Sequence, residues 1–277
     1  MNRIKELQQT AVERRIELLQ MIMAAKTGHT GGALSSIDIL VTLFYEMMRI
    51  DPKNPRWEER DRFILSKGHS VEGYYTILAD LGFFPKEELP TFSAYRSRLI
   101  GHPTVKVPGI EMNTGALGHG LSAGVGMALA GKMDGKDYKV YVLMGDGEQA
   151  EGSVWEAAMA AGQYGLDNLI GIIDRNRLQI SGNTEAVMGL EPLAAKWAAF
   201  GWEVMEADGN DIGDLLRVFR KIPAAARPHL VIADTVKGKG VSFMENVAKW
   251  HHGVPSPEQY QRALEELNRK LAEVKAG

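Results

Sequence analysis

The chain has 277 residues, of which 45% are hydrophobic and 24% are charged, so it can bury a full core as one large or two small globular domains. The net charge is -3, and Lys and Arg are dispersed along the chain. Binding to nucleic acid or to an acidic membrane through electrostatic attraction is therefore not expected. The absence of cysteine excludes disulfides and thiolate chemistry. The first residues lack the apolar core of a signal peptide, and no apolar run approaches the roughly 20 residues of a membrane span. We therefore expect a cytoplasmic protein.

The N-terminal part of the chain predicts two helices joined by a glycine-rich loop. Apolar residues at helical spacing predict an amphipathic helix over residues 4–22. Residues 37–48 are apolar on nearly every side, which predicts a second, buried helix with Ser35 or Ser36 as its N-cap. The intervening residues 27–32, Thr-Gly-His-Thr-Gly-Gly, contain too much glycine to hold regular structure unaided.

Three Gly-His pairs occur at loop or strand-end positions. His29 lies in the glycine-rich loop, His69 follows a short strand over residues 63–65, and His102 precedes a proline. A single loop histidine is usually only a hydrogen-bonded side chain. Three such histidines indicate a functional site, because imidazole can move protons and bind oxygens near neutral pH. Zn²⁺ binding is an alternative that ligand spacing does not support.

A Gly- and Ala-rich segment follows over residues 115–133. Within it, residues 118–123, Gly-His-Gly-Leu-Ser-Ala, fit a loose dinucleotide-binding fingerprint. The residues before it predict a loop instead of the strand that this fingerprint requires, so an NAD site is disfavoured. We expect instead a buried helix that packs closely on the sheet through its small residues.

Residues 138–182 organise the rest of the chain. An apolar strand over residues 138–144 leads into a Gly-Asp-Gly-Glu turn at Asp146, and a helix and a second strand lead to Asn176. In a parallel sheet the two strand ends lie side by side, so Asp146 and Asn176 should meet at the carboxyl edge, where α/β folds bind ligands. Their oxygens suit Mg²⁺ or Ca²⁺, and the glycines let backbone amides approach a bulky anion. The unit predicts a metal that holds a diphosphate.

Helices and strands then alternate towards the C terminus. Helices are predicted over residues 193–200 and 212–222, and strands over residues 202–207 and 229–235. This alternation predicts an α/β fold with a doubly wound, mainly parallel sheet and helices on both faces. We expect one domain over residues 1–277 with an N-terminal helical extension.

Two features remain after the last strand. Residues 237–240, Lys-Gly-Lys-Gly, either neutralise a phosphate or form a solvated turn, since their position at the carboxyl edge supports both. Residues 257–275 carry apolar side chains on one helical face. This terminal helix should dock on the domain or on a partner.

Eight short motifs occur in the order found in the N-terminal, diphosphate-binding part of transketolases. They are Gly28-His29-Thr30-Gly31, Ser66-Lys67-Gly68-His69, Gly101-His102-Pro103, Gly115-Ala116-Leu117-Gly118, Gly145-Asp146-Gly147, Glu151-Gly152, Asn176 and His252-Gly253. The Gly-Asp-Gly turn with its later Asn is similar to the signature of thiamine-diphosphate enzymes, and the resemblance to transketolases covers nearly the whole chain. Two departures, Thr-Gly-Gly after His29 where many relatives have Pro-Gly, and Ala116 in place of Pro, leave room for an unusual substrate.

The resemblance implies a site for thiamine diphosphate and a divalent metal. By similarity, Mg²⁺, with Ca²⁺ or Mn²⁺ as alternatives, is bound by Asp146, Asn176 and the backbone carbonyl of Leu178. The implied cofactor-binding residues are His69, Gly115, Leu117, Asp146, Gly147, Glu148, Asn176 and His252. His252 is preferred to His251, and Lys239 is kept as an electrostatic contributor.

The resemblance also implies the reaction and its residues. The implied catalytic residues are His29, His69, His102, His252 and Glu151. The histidines match residues that contact sugar hydroxyls or the cofactor and assist proton transfer, and Glu151 matches a glutamate of an acidic network that links paired active sites. The reaction moves a two-carbon ketol unit from a ketose phosphate to an aldose phosphate, as in the pentose phosphate pathway, with chemistry supplied by thiamine diphosphate.

The family's pyrimidine-binding domain is expected to begin where this sequence stops. The resemblance therefore implies a separate C-terminal subunit that supplies this domain and the glutamate that activates the cofactor, in an α₂β₂ heterotetramer. The alternatives are an enzyme similar to 1-deoxyxylulose-5-phosphate synthase, a transketolase for a modified sugar, and a binding subunit without catalysis. The intact Asp146, Asn176 and histidines argue against the last alternative.

Overall fold

A five-stranded parallel sheet forms the centre of the protein, for which a computed structural model describes residues 2–222 and 226–276. The strands of this sheet are β1 (Arg62–Leu65), β2 (Val140–Gly145), β3 (Leu169–Arg175), β6 (Glu203–Asp208) and β7 (His229–Asp234). They lie in the order β1-β2-β3-β7-β6, and each neighbouring pair is parallel. A separate antiparallel hairpin consists of β4 (Leu178–Gln179) and β5 (Gly182–Asn183). The α-helices are α1 (Arg3–Ala25), α2 (Thr30–Thr42), α3 (Val71–Leu81), α4 (His119–Met133), α5 (Gly152–Gln163), α6 (Thr184–Val187), α7 (Leu193–Ala199), α8 (Ile212–Phe219) and α9 (Pro257–Ala276).

The central strands are buried on both faces because their sequences are nearly continuous apolar runs. Successive side chains of a strand point to opposite faces. In β2, Val140, Val142 and Met144 join an apolar cluster with α4, α5 and α7, whereas Tyr141 and Leu143 join a second cluster with α1, α2, α3, α8 and α9. Helices therefore cover both faces, and the predicted α/β fold with a doubly wound, mainly parallel sheet is confirmed.

Helix α4 packs closely on the sheet, as its small residues predict. A Cβ at Gly124 would lie only 2.6 Å from Cγ2 of Val142 on β2, and a Cβ at Gly131 would lie 2.7 Å from the ring of Tyr138. These glycines allow an approach that a larger residue would prevent. The opposite face of α4, which includes Gly126, is exposed, so the helix is buried on one side only.

The second helix begins earlier than predicted. Helix α2 starts at Thr30, so residues 30–32 belong to its first turn and not to a loop. The expected N-cap residues Ser35 and Ser36 lie inside the helix, and that prediction is wrong. Every residue of α2 is buried, and this packing outweighs the low helix propensity of its glycines. The helix passes into a π-helical turn at Leu43–Met47.

The other predicted elements are present with small shifts at their ends. The strand that leads to Asn176 is β3, which extends through Asp174 to Arg175, and the helix expected over residues 212–222 ends at Phe219. Helix α9 packs against α1 and buries Ala263 and Leu267, so the terminal helix docks on the rest of the chain. None of the helices in residues 2–222 and 226–276 combines the length and the apolar character of a membrane span.

Candidate active site

Two neighbouring strands bring together residues that are distant in the sequence. β2 and β3 are paired with Gly145 opposite Asp174, so the residues that follow each strand leave the sheet at the same edge. The backbone N–H of Arg177, which follows Asn176, donates a hydrogen bond to Oδ2 of Asp146. Asp146 and Asn176 therefore occupy the juxtaposition that their spacing predicts.

The oxygens at this edge are donors that a hard divalent cation prefers. Oδ1 of Asn176 accepts a hydrogen bond from the N–H of Leu178 at 3.1 Å, and the carbonyl oxygen of Leu178 accepts one from Nζ of Lys237 at 3.1 Å. Among residues 2–222 and 226–276, no three His, Cys, Asp or Glu side chains form a group that could hold a metal. A metal site here needs the amide and carbonyl oxygens as well as the Asp146 carboxylate, and this mixed donor set fits Mg²⁺.

A cavity of about 420 Å³ opens at this edge, within the range of roughly 300–1,000 Å³ for small-molecule sites. Its lining consists of His29, Gly32, Lys67, His69, Gly115, Leu117, Gly145, Asp146, Gly147, Glu148, Asn176, Leu178, Gln179, Ile180, Ser181, Lys237 and His251. Lys67 and Lys237 are both almost fully buried. A Cβ at Gly32 would lie 3.7 Å from Nζ of Lys67 and 3.8 Å from Nε2 of His69. The glycine therefore keeps open the space beside these groups, which suits an anionic ligand.

A buried ion pair between Lys67 and Asp174 lies beside the cavity. Nζ of Lys67 contacts the Asp174 carboxylate and donates to the Gly32 carbonyl oxygen at 3.0 Å. Asp174 also accepts hydrogen bonds from the hydroxyls of Ser35, at 2.6 Å, and Thr235. Burial favours the protonated acid, but the charge of Lys67 and these hydrogen bonds outweigh it and lower the pKa of Asp174. The charged pair is therefore present at neutral pH and fixes the end of β3 against α2.

The Glu148 carboxylate joins three segments of the site. Its Oε1 accepts hydrogen bonds from the Ser66 hydroxyl and, at 2.8 Å, from the Gly118 N–H, while Oε2 accepts one from the Gly145 N–H at 2.9 Å. Burial raises the pKa of Glu148, and these hydrogen bonds oppose the rise. Glu148 also lines the cavity. Its acceptor capacity is directed mainly to the protein, so it shapes this edge of the cavity.

Five histidines gather at one end of the cavity. The ring centroid of His29 lies 4.6 Å from that of His252, 5.4 Å from His69, 5.9 Å from His251 and 6.0 Å from His102. His29, His69 and His251 line the cavity, whereas His102 and His252 pack around His29 without lining it. The structure thus brings the three Gly-His pairs together, and His251 faces the cavity where the sequence favours His252.

The histidines that line the cavity are neutral at pH 7. Burial, followed by neighbouring histidines and Lys237, lowers the pKa of His29 to about 4. Burial and the charge of Lys237 lower the pKa of His251 to about 3, and burial also lowers the pKa of His69. A neutral imidazole can accept a proton or a hydrogen bond from a hydroxyl.

Comparison with known proteins identifies the family of this chain. Residues 7–267 match the family described as transketolase, thiamine diphosphate binding domain. The chain belongs to the transketolase family. It is 54% identical over 269 residues to one subunit of the apulose-4-phosphate transketolase of Phocaeicola vulgatus, and the match covers 97% of this chain and 96% of that relative. It is 42% identical over 269 residues to a 6-deoxy-6-sulfo-D-fructose transketolase subunit of a Clostridium species, with coverages of 96% and 98%.

A solved transketolase has the same fold over the length of this chain. The transketolase of Campylobacter jejuni superposes with a TM-score of 0.90 at 31% identity, and the match covers 99% of this chain and 46% of that one. This member of the transketolase family therefore spans about half the length of that relative.

The remaining residues predicted from the transketolase resemblance lie at different distances from the cavity. Gly115, Leu117 and Gly147 line it, and a Cβ at Gly147 would lie 2.8 Å from Oε1 of Gln179, so glycine avoids a clash there. Glu151 is exposed and lies outside the cavity. The catalytic, cofactor-binding and metal-binding roles of these residues stay predictions.

Two lysines line the cavity, and the sequence motifs that contain them do not distinguish them from neighbouring residues. Lys67 lies inside the Ser-Lys-Gly-His motif, and Lys237 begins the Lys-Gly-Lys-Gly segment. Lys239 is the lysine that the sequence analysis keeps as an electrostatic contributor. It lies outside the cavity and borders a larger cleft of about 610 Å³, which includes residues of β6 and β7. The available signal is position, because Lys67 and Lys237 each follow closely on the carboxyl end of a parallel strand.

Proposed function

We propose that this chain is the N-terminal subunit of a split, thiamine-diphosphate-dependent transketolase that transfers a two-carbon ketol unit from a ketose phosphate to an aldose phosphate. One observation carries the proposal. Asp146, Asn176 and the carbonyl of Leu178 meet at the wall of a cavity that also holds two buried ammonium groups. In a member of the transketolase family, this arrangement suits a diphosphate bound through a divalent metal.

The proposed metal is Mg²⁺, held by Asp146, Asn176 and the carbonyl oxygen of Leu178. Ca²⁺ and Mn²⁺ also accept such oxygen donors. Lys67 and Lys237 are proposed to neutralise the remaining charge of the diphosphate, because both ammonium groups border the cavity. When bound, thiamine diphosphate supplies the carbon nucleophile for cleavage of the donor's carbon–carbon bond.

The histidine cluster is proposed to move protons at the sugar hydroxyls. His29, His69 and His251 are neutral at pH 7 because their pKa values are lowered, so each can accept a proton from a donor hydroxyl and return it to the product. His102 and His252 pack beside His29 and are proposed to bind other hydroxyls of the sugar. A positioned base typically contributes about 10²–10⁴-fold to the rate.

A separate C-terminal subunit is proposed to supply the pyrimidine-binding domain. Two relatives that are named as subunits match this chain over 96% and 98% of their own length, whereas the match covers 46% of the C. jejuni transketolase. We propose an α₂β₂ assembly in the cytoplasm, in which residues 1–277 form one domain. Glu151 is exposed, which supports a role in an acidic network between subunits.

The donor is proposed to be a modified ketose that carries a phosphate or a sulfonate. The relative with 54% identity is named for apulose 4-phosphate, and the relative with 42% identity is named for 6-deoxy-6-sulfo-D-fructose. Apulose 4-phosphate is therefore the first donor to test, followed by the sulfonated sugar. Xylulose 5-phosphate represents the alternative, a function in the pentose phosphate pathway.

The test compares this chain alone with the chain purified together with the product of the adjacent reading frame. Each sample receives thiamine diphosphate, Mg²⁺, one of the three donors, and ribose 5-phosphate as the first acceptor. We expect the pair to transfer the ketol unit and the single chain to be inactive. Full turnover by the single chain contradicts the split enzyme, and a pair that binds the cofactor but transfers nothing from any donor contradicts the function.

A further inference from the structure

Glu72 is a buried glutamate that lies next to His29 in the histidine cluster. It is the second residue of α3, and its side chain is completely buried. Oε1 accepts a hydrogen bond from the backbone N–H of His29 at 2.7 Å and lies 4.0 Å from Nδ1 of the same residue. Oε2 has no hydrogen-bond partner in the part of the chain that the structure describes. A buried carboxyl with a free oxygen lowers stability, so its position beside His29 points to a function.

The same face of α3 also contacts the loop that contains His102. The hydroxyl of Tyr75 lies 3.0 Å from the carbonyl oxygen of Ile100 and 3.1 Å from that of His102. Glu72 and Tyr75 are three residues apart and therefore neighbours on one side of the helix. Helix α3 thus contacts the backbone of both loops whose imidazoles, His29 and His102, approach each other to 6.0 Å.

We propose that Glu72 is a positioning residue that holds His29 in place and stabilises its imidazolium when His29 takes a proton from the substrate. This inference rests on the proposed function. The proton passes from a sugar hydroxyl to His29 and returns to the product, while Glu72 stays ionised. The carboxylate favours a proton on Nδ1, which leaves Nε2 as the acceptor. At 4.0 Å the interaction with the ring is electrostatic.

The charge of Glu72 depends on pH within the working range of an enzyme. Burial raises the pKa of Glu72 to about 7, against hydrogen bonds from the N–H groups of His29 and Glu72 itself and the charge of Lys67. The groups that face it are His29 from the segment before α2, Lys67 from the turn after β1, and Tyr75 from α3. At pH 7 His29 and Tyr75 are neutral, since burial lowers the pKa of the first and raises that of the second. Glu72 can therefore support His29 only above about pH 7.

Two glutamine variants separate the charge of Glu72 from its structural contribution. Glu72→Gln keeps the side-chain size and the acceptor for the His29 N–H but removes the charge. Glu111→Gln is the matched control, because Glu111 pairs with Arg60 at 2.8 Å away from the cavity, and burial raises its pKa too.

The first measurement does not depend on activity. The backbone amide resonance of His29 is followed by NMR in the full chain, without cofactor, from about pH 5.5 to 8.5. Because Glu72 accepts a hydrogen bond from this amide, we expect the resonance to titrate near pH 7 in the wild type and in Glu111→Gln, and to stay constant in Glu72→Gln. A constant resonance in the wild type, or the same titration in Glu72→Gln, overturns the proposal.

The second measurement is the pH profile of transfer by the chain with its partner subunit, thiamine diphosphate and Mg²⁺. We expect Glu72→Gln to lower kcat at pH 8 by about 10- to 100-fold, part of what a positioned base contributes, with the donor KM nearly unchanged. The wild-type rise of kcat through about pH 7 should be absent from this variant and present in Glu111→Gln. A Glu72→Gln variant with wild-type kcat, or with a lower kcat and the wild-type profile, overturns the proposal. If the wild-type pair transfers nothing, the proposed function fails, while the amide titration still shows whether Glu72 holds His29 as a titrating carboxylate.

Discussion

The ammonium of Lys237 lies 3.1 Å from the carbonyl oxygen of Leu178 and 3.1 Å from Nδ1 of His251. These contacts join the segment after β7 to the loop after β3 and to the histidine cluster. They place a positive charge directly beside an oxygen that is proposed to hold Mg²⁺. Lys237 therefore links the proposed diphosphate site to the proposed site of proton transfer.

Replacing Lys237 by Met should weaken binding of thiamine diphosphate by about 10- to 100-fold, because a hydrogen bond to a charged group is worth about 1.5–3 kcal/mol. Lys239→Met is the matched control, since it removes the same charge two residues away and outside the cavity. It should change the Kd by less than about threefold. Calorimetric titration of the full chain with Mg²⁺ present measures both values, and equal losses would contradict the assignment of Lys237 to the cofactor.

Replacing two different glycines of α4 by alanine should change the free energy of unfolding in opposite directions. Gly124→Ala should lower the free energy of unfolding by about 1–3 kcal/mol, because the new Cβ would lie 2.6 Å from Cγ2 of Val142 and overpack the helix against the sheet. Gly126 has no atom within 4 Å of an added Cβ, so Gly126→Ala should raise it by up to about 1 kcal/mol through helix propensity. Urea unfolding measures both changes, and a neutral Gly124→Ala would show that α4 does not pack this closely.

The cofactor-free chain should lose stability as the pH falls below about 6.5. Burial lowers the pKa of folded His29 from 6.5 to about 4, so between these values the unfolded chain binds more protons than the folded chain. The stabilisation from neutral His29 is complete above pH 6.5 and should shrink by on the order of 1–2 kcal/mol at pH 5. His29→Gln should reduce this decline, whereas His119→Gln, at an exposed position, should leave it unchanged. Urea unfolding at pH 7 and pH 5 checks this, and identical declines in all three proteins would contradict the burial of His29.

The meeting of Asp146 and Asn176 could be predicted because it depends on local pattern and sheet geometry. Two apolar runs of strand length that are separated by a helix commonly form adjacent parallel strands, as β2 and β3 do, and this places the residues that follow them at one edge. The glycines around Asp146 and the polar residues after β3 mark that edge in the sequence. For the same reason the fold class and most element positions follow from alternation alone.

The parts that could not be predicted depend on contacts between distant segments. The first turn of α2 at Thr30 is helical because the whole helix is buried, which the glycine content of residues 27–32 conceals. The sequence does not separate Lys237 from Lys239, or His251 from His252, since neighbours in an irregular segment differ only in the direction that tertiary packing gives them. Glu72 belongs to the same class, because its partner His29 is 43 residues away.

The central claim is that Asp146 helps to hold a divalent cation, which in turn holds thiamine diphosphate. Calorimetric titration of thiamine diphosphate into the wild-type chain and Asp146→Ala, each with Mg²⁺ and with EDTA, tests it most directly. Asp137→Ala is the control, because Asp137 is an exposed carboxylate paired with Arg49. We predict that the wild type and Asp137→Ala bind thiamine diphosphate at least about 100-fold more tightly with Mg²⁺ than with EDTA. Residues that only support the ligands of a metal already contribute about 10- to 100-fold to metal affinity, so loss of the metal itself should cost at least as much. Asp146→Ala should bind weakly in both conditions, and a wild-type response of Asp146→Ala to Mg²⁺ would contradict the claim.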